Sequence, residues 1–88
     1  MDDSARRRAA DIAQSLRLEF GRALRIARKQ AGLSQTQLAE HLGCSQQHLS
    51  RVERGAHTVN LPTMIRFADA VGLNLRIVYE PRWSRHDR

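Results

Sequence analysis

The apolar residues of this 88-residue chain recur at helical spacing over most of its length. The clearest stripe lies between residues 15 and 31 and consists of Leu16, Phe20, Leu24, Ala27 and Ala31. Residues three and four apart share one face of an α-helix, so this stripe predicts a helix that buries one side. Arg22, Arg25 and Lys29 fall on the opposite side, which we expect to lie in water. Gly32 should end the helix, because glycine readily adopts the left-handed conformation found there.

A second pattern predicts a short helix that begins after Ser34. Ser34 can accept a hydrogen bond from the first turn, and Gln37 stands where its side chain completes a capping box. Leu38 and Leu42 lie one turn apart on the face to be buried. Gly43 should end this helix.

A third pattern follows almost at once and predicts a helix between Ser45, as its cap, and Gly55. Leu49 and Val52 give this helix its apolar face. Ala39 lies midway along the preceding helix, and its small side chain allows the two helices to cross closely. Two short capped helices joined by a tight turn are typical of a helix-turn-helix, whose second helix enters the major groove of DNA. An ordinary pair of packed helices is the other interpretation.

The outer face of this third helix carries polar side chains that suit DNA. Starting from Leu49 and turning about 100° per residue, the outward positions are Gln47, Ser50, Arg51 and Arg54, with Gln46 at the flank. Glutamine can form two hydrogen bonds with adenine and arginine two with guanine. Residues 45–47 stand at the helix N-terminus, where free amides favour a phosphate. A solvated polar face is the alternative, but the preceding turn favours contact with bases or phosphates.

The charge balance agrees with a nucleic-acid partner. Fifteen basic and nine acidic residues give a net charge of +6, which suits a polyanion, although an anionic membrane surface could also use it. No apolar run approaches the ~20 residues that span a bilayer. No apolar block follows Arg6–Arg8, so we expect no secretory signal. Cys44 is the one cysteine, which excludes an intrachain disulfide and makes the cytosol the simplest compartment.

The remaining segments complete the predicted organisation. Residues 1–14 form a helical extension, capped by Ser4, or a flexible arm. Its arginines, Arg6, Arg7 and Arg8, are expected to be solvated, with contact to DNA phosphates as the alternative. Residues 15–72 form the helix-turn-helix domain. Its last helix starts at Asn60, has Pro62 in its first turn and ends at Gly72. The apolar face of that helix is expected to comprise Leu61, Met64, Ile65, Phe67, Ala68 and Val71.

A change of period marks residues 73–80. Leu73, Leu75, Ile77 and Tyr79 alternate with Asn74, Arg76 and Val78, and a period of two predicts a half-buried strand. The sequence offers this strand no second strand to pair with. Its simplest partner is the same strand of a second copy about a two-fold axis, although an edge of a different protein would also serve. Pro81 ends the strand, and residues 81–88 form a basic tail in which Trp83 packs on the dimer seam or anchors a partner.

Two charged residues are predicted to form a structural ion pair. Arg28 and Glu53 each lie at the edge of an apolar face, and a charge turned inward needs a partner. We expect the two side chains to meet, with separate solvation of each as the alternative.

The pattern of reactive residues does not predict an enzyme or a metal site. His41, His48, His57 and His86 lack metal-ligand spacing, and Cys44 is expected to be a small buried thiol in the turn. No glycine-rich phosphate loop and no nucleophile with an evident base is present. We therefore expect no catalytic residue, no metal and no cofactor.

With these residues in view, residues 20–72 resemble the Xre/Cro-type helix-turn-helix family, the domain of lambdoid phage repressors. The resemblance is carried by Leu24-Arg25-Ile26-Ala27-Arg28, Gly32-Leu33-Ser34-Gln35, Leu38-Ala39, Gly43, Ser45-Gln46-Gln47, Leu49, Val52-Glu53, Gly55 and Phe67-Ala68-Asp69-Ala70-Val71-Gly72. It implies an all-α, compact domain of four to five helices, here followed by one C-terminal β-strand that pairs across a dimer.

The resemblance also implies roles for individual residues. It implies that Gln35 contacts phosphate, that Gln46, Gln47 and Arg51 read bases, and that Arg54 touches the DNA backbone. It also implies the pairing of Arg28 with Glu53. The complete predicted DNA-binding set is Gln35, Ser45, Gln46, Gln47, His48, Ser50, Arg51 and Arg54, and the predicted dimerisation set is Leu73, Leu75, Ile77 and Tyr79.

The C-terminal strand is similar to that of HipB-like antitoxins, which dimerise through it, repress their own operon and bind a toxin kinase. The resemblance thus implies a bacterial, cytoplasmic, nucleoid-associated repressor that binds a palindromic double-stranded DNA operator as a homodimer. A HipA-like kinase would be its protein partner. A stand-alone or phage-type regulator without a toxin remains the alternative.

Overall fold

A computed structural model describes residues 2–82 and places four helices in that range. They are α1 (Asp3–Gln30), α2 (Gln35–Leu42), α3 (Gln46–Glu53) and α4 (Leu61–Ala70). The prediction of an all-α domain is confirmed. The helices that pack most closely are α1 with α3, α2 with α3, and α2 with α4.

Local sequence sets the helix boundaries through caps and glycines. The Ser34 hydroxyl accepts from the amide of Gln37, and the Gln37 side chain accepts from the amide of Ser34, which is the predicted capping box. Gly43 ends α2 with φ +74°, in the left-handed region. Asn60 caps α4 by accepting from the amide of Thr63.

The core lies between the four helices and is small. Its fully buried large side chains are Phe67, Leu24, Leu38, Leu49 and Val52. Ala39 is also buried, and the helix that carries it packs against α3. The core therefore fixes the relative position of α2 and α3, which carry the outward polar face.

α1 is one continuous helix, longer than the apolar stripe predicted. Asp2 caps it by accepting from the amide of Ala5, so Ser4 lies inside the helix and does not cap it. The helix runs through residue 15 without a break, so residues 3–14 are helical and continuous with the rest of α1. None of residues 2–19 is buried, and Leu16 is 56% exposed, so the placement of Leu16 in the core stripe was wrong.

The reason lies in where α1 meets the rest of the protein. α3 lies beside only the second half of α1, where Phe20, Gly21 and Leu24 are buried. A methyl group on Gly21 would come within 2.5 Å of the carbonyl oxygen of Val52 and closer still to that of Glu53. Gly21 therefore allows the closest approach of the two helices, while the first half of α1 extends beyond the body.

The predicted C-terminal strand does not form within the single chain. Among the described residues 2–82 there is no strand, and residues 73–80 have no regular structure. The physical reason is that a strand needs a neighbour for its amides and carbonyls, and no other segment within residues 2–82 supplies one. Leu73 and Leu75 pack against the core, whereas Ile77 and Tyr79 are exposed. The predicted basic tail begins at Pro81, and Trp83 and residues 84–88 lie outside the described residues.

Candidate nucleic-acid interface

The turn between α2 and α3 fixes the angle at which α3 leaves the core. The amide of Cys44 donates to the carbonyl of Ala39 at 3.0 Å, and the amide of Gly43 donates to that of Glu40 at 3.2 Å. Ser45 then caps α3 by accepting from the amide of His48 at 3.0 Å. These bonds pair backbone groups at the junction and so stabilise the turn.

α3 divides cleanly into an inner and an outer face. Leu49, Val52 and Glu53 are buried. Gln47, Arg51 and Arg54 are exposed, and Ser50 is half-buried at the edge. The helix therefore presents a polar, cationic surface that is held from behind by an apolar core.

Arg28 and Glu53 form an ion pair inside the protein. Arg28 Nε donates to Glu53 Oε2 at 2.7 Å, and Nη2 donates to Oε1 at 3.1 Å. Arg28 Nη1 also donates to the carbonyl of Leu33 at 2.8 Å. Both side chains are almost completely buried, so the pair joins α1, the loop before α2, and the end of α3.

A chain of hydrogen bonds continues from this pair to the surface. Gln35 Nε2 donates to Glu53 Oε1 at 2.9 Å, and Gln46 Nε2 donates to Gln35 Oε1 at 2.6 Å. The first residue of α2 and the first residue of α3 are thus connected through their side chains to the buried carboxylate. Because each amide is held by a neighbour, their remaining donors and acceptors have fixed directions.

His48 faces the protein and not the outer surface of α3. Its ring centroid lies 4.6 Å from that of His57 and 6.3 Å from that of Phe67, both in edge-to-face geometry. Burial lowers the pKa of His48 below its ordinary value, and the positive charges of His57 and Arg51 lower it further. This arrangement gives His48 a packing role behind the predicted interface.

Cys44 occupies the turn as a half-buried free thiol, as its position suggested. Burial raises the pKa of its thiol, and the nearby Arg66 partly opposes this. Arg66 itself donates to the carbonyl of Leu42 at 2.8 Å, at the C-terminal end of α2. Through this hydrogen bond, α4 stabilises the turn between α2 and α3.

A groove of about 490 Å³ lies where α1 passes the start of α2 and the end of α3. The residues that line it are Leu18, Arg22, Arg25, Gln35, Ser50, Glu53 and Arg54. It opens to solvent next to the polar face of α3. Arg22 and Arg25, which we expected simply to face water, therefore adjoin the predicted DNA-binding residues.

Comparison with known proteins places this geometry in a family. Residues 19–76, about two thirds of the chain, match a family model described as a helix-turn-helix domain. This chain belongs to the helix-turn-helix domain family. A stretch of 39 residues, 44% of the chain, is 50% identical to the HTH-type transcriptional regulator SlrR of Bacillus subtilis (strain 168). That match covers 26% of SlrR, so the chain spans about a quarter of the length of this relative.

The residues that the family model matches coincide with the residues that pack together. The matched region starts at residue 19, next to Phe20, the first buried residue of α1. It includes α2, α3, α4 and the half-buried Leu73 and Leu75, and it excludes the projecting first half of α1. No helix within residues 2–82 is long and apolar enough to span a bilayer.

Sequence reasoning missed two features of this helix-turn-helix domain. It did not predict the hydrogen bond between the side chains of Gln35 and Gln46. The available sign was that these two residues begin the two helices of the motif, α2 and α3. It also missed the groove, because a helical wheel shows that Arg22 and Arg25 point away from the α1 stripe but not which neighbour lies beside them. Glycine at position 21, within an otherwise regular helix, was a usable sign of close helix packing.

Proposed function

We propose that this protein is a transcriptional regulator that binds double-stranded DNA sequence-specifically and acts as a repressor. The observation that carries the proposal is the outer face of α3, where Gln47, Arg51 and Arg54 are exposed on a helix capped by Ser45 and anchored in the core. In helix-turn-helix proteins such a helix lies in the major groove, with its N-terminal residues against the base edges.

The proposed contacts follow from position and chemistry. Gln47 and Arg51 lie one turn apart, so they address neighbouring base pairs, with Ser50 beside them at the edge of the groove. Gln46 is oriented by Gln35 for a base or phosphate, and Gln35 itself stands at the start of α2, where a phosphate is favoured. Arg54 follows the last residue of α3 and contacts the DNA backbone.

We further propose that the protein binds a palindromic operator as a homodimer. The support is the segment of residues 73–79, which exposes the side chains of Ile77 and Tyr79 and has no strand partner within residues 2–82. Leu73, Leu75, Ile77 and Tyr79 would pair with the same segment of a second copy about a two-fold axis. Two copies would place two α3 helices about one helical turn of DNA apart.

A role as the antitoxin of a HipA-like kinase is a second candidate. Besides the C-terminal segment, α4 exposes Leu61 and Ile65, each about half accessible. Apolar side chains in the open can mark a protein-binding surface. A regulator without any toxin partner uses the same DNA-binding surface, so the two functions differ only in this additional partner.

The DNA-binding proposal can be tested by selecting bound duplexes from a random pool and then measuring variants on the selected site. Gln47→Ala and Arg51→Ala should each cost about 1–3 kcal/mol on that site and relax preference at one base pair. Arg54→Ala should weaken binding equally on all sequences, because phosphates are the same everywhere.

The control is Lys29→Ala, which removes an exposed charge at the end of α1. It should keep the base preference of the selected site. Equal losses on selected and random DNA for the Gln47 and Arg51 variants would remove them from the base-reading role. The antitoxin candidate needs a separate test, co-purification of the tagged protein with a coexpressed HipA-like kinase, in which absence of a complex favours the stand-alone regulator.

A further inference from the structure

The groove between α1 and α3 carries a positive charge that is not neutralised by the acidic residue in its lining. Arg22 and Arg25 reach it from α1, and Arg54 reaches it from the end of α3. The one acidic residue in its lining is Glu53, and both carboxylate oxygens of Glu53 already accept hydrogen bonds from Arg28, with Gln35 adding a third. The negative charge of Glu53 is therefore matched by Arg28.

The groove arginines have donors to spare. Within residues 2–82, Arg22 and Arg25 form no hydrogen bond and no ion pair, and both are exposed. Arg54 donates only from Nε, at 3.3 Å, to the carbonyl of Ser50. Three guanidinium groups with free donors around one open groove favour an anion with several oxygens, because guanidinium matches phosphate geometry.

The position of the groove indicates which anion it meets. Its lining includes Gln35, Ser50 and Arg54, which also belong to the proposed DNA-binding surface. When α3 lies in the major groove, one DNA strand passes its edge, and the phosphates of that strand are the nearest oxyanions. Arg22 and Arg25 are three residues apart on one helix, so they flank the same position.

We propose that this groove binds the phosphate backbone of the DNA, with Arg22 and Arg25 of α1 as the contacting residues. α1 then acts as a third DNA-contacting element beside α2 and α3, and it strengthens binding without reading sequence. The inference rests on the proposed function, since it uses the same duplex. An acidic protein surface is the other occupant that the charge allows, and the experiment separates the two.

The test compares salt dependence of binding for the full chain, using fluorescence anisotropy with a short labelled duplex of mixed sequence. Each phosphate contact contributes a slope of about 0.9 in log affinity against log salt concentration. Arg22→Gln with Arg25→Gln should therefore make the slope shallower by about 0.9 to 1.8. Its affinity should fall by the same factor on the selected operator and on random DNA. Arg22→Lys with Arg25→Lys keeps both charges and should retain most of the slope.

The matched control is Arg7→Gln with Arg8→Gln, which removes the same two charges from the same helix. Arg8 lies about 21 Å along the helix from Arg22, roughly two Debye lengths at 0.1 M salt. The control should therefore keep the wild-type slope. Circular dichroism of all variants should match wild type, because none of the four side chains is buried.

The possible results separate a failure of the proposed DNA binding from a failure of phosphate binding in the groove. Failure of the wild-type protein to bind any duplex would reject the proposed function. Duplex binding by wild type with an unchanged slope in the Arg22/Arg25 glutamine variant would reject the groove inference alone. An equal decrease in the Arg7/Arg8 control would assign the effect to net charge and also reject it. The same variants are also titrated against labelled polyglutamate as an acidic probe. If the Arg22/Arg25 glutamine variant keeps the DNA slope but loses binding to polyglutamate that wild type binds, the occupant is an acidic protein surface and the phosphate inference is rejected.

Discussion

At the scale of single residues, the buried carboxylate of Glu53 connects the core with the proposed DNA-binding surface. It accepts from Arg28 on one side and from Gln35 on the other, and Gln35 in turn holds Gln46. A buried ion pair adds little net stability by itself, since desolvation offsets the attraction. Here the ion pair acts mainly on geometry, because it sets the direction in which the side-chain amides of Gln35 and Gln46 point at the proposed interface.

The pair makes a direct prediction for stability. Arg28→Met or Glu53→Met leaves one charge buried and unpaired, so each should lower the free energy of unfolding by about 3–5 kcal/mol in urea denaturation. The double variant should lose less than the sum of the two, because it leaves neither charge behind. Lys29→Met, an exposed neighbour of Arg28, is the control and should change little. Strict additivity in the double variant would contradict a coupled pair.

We expect His48 to make the folded protein less stable in mild acid. Its pKa is lowered in the folded state, chiefly by burial, whereas in the unfolded chain it titrates near the ordinary value of 6.5. As the pH falls through that value, the unfolded state takes up a proton that the folded state resists, so stability decreases until the lower, folded pKa is passed. Above the unfolded pKa the effect vanishes.

The measurement is the free energy of unfolding between about pH 5 and pH 7.5 for wild type and His48→Gln. The decrease on acidification should be smaller in the variant than in wild type. His41→Gln, on the exposed side of α2, should keep the wild-type dependence. Identical pH profiles for wild type and His48→Gln would show that His48 is not the responsible group.

At the scale of elements, local chemistry explains which predictions succeeded. Ser34, Gly43 and Asn60 act through bonds or backbone conformations within a few residues, so the sequence alone determines them. Whether a side chain is buried depends on which other element packs against it, and the local spacing of apolar residues does not show this. Leu16 has the spacing of a core residue, yet it remains exposed, like the rest of the first half of α1, in which no residue is buried.

The two halves of α1 should respond differently to the same substitution. Proline inside a helix removes a hydrogen bond and clashes with the preceding turn, which costs about 3 kcal/mol or more where the helix must remain intact. Ala23→Pro interrupts the packed half and should lower the free energy of unfolding by at least that amount. Ala10→Pro lies in the projecting half, where the preceding turns can fray, and should lower it by less than about 1 kcal/mol.

Thermal and urea unfolding of the Ala10→Pro and Ala23→Pro variants, followed by circular dichroism, tests this difference. Ala10→Pro should lose some helical signal before the main transition while keeping its midpoint. A loss in Ala10→Pro as large as that in Ala23→Pro would show that the first half of α1 packs against something, such as a second copy.

At the scale of the whole molecule, the segment that follows α4 has apolar side chains that the helices do not cover. Ile77 is 55% exposed, Val78 77% and Tyr79 87%, although Leu73 and Leu75, on the same segment, pack against the core. Covering such side chains gains about 25 cal/mol per Å² of apolar area removed from water. The amide of Leu73 donates to the carbonyl of Ala68, but beyond it residues 74–80 pair with no strand within residues 2–82. A partner strand would therefore satisfy both the apolar and the polar groups of the segment.

The dimer prediction follows from this geometry and from the needs of DNA recognition. One α3 contacts too few base pairs for a selective site, and a two-fold pair reads a palindrome with half-sites about 34–36 Å apart. Ile77→Pro removes an amide from the proposed ladder and does not fit a central strand position. Because Ile77 lies outside the buried core, the helices should remain folded while light scattering reports a monomer and operator binding becomes weak and non-cooperative. Arg82→Pro, beyond the segment, is the control and should remain dimeric. A dimer of unchanged stability in Ile77→Pro would place the interface elsewhere.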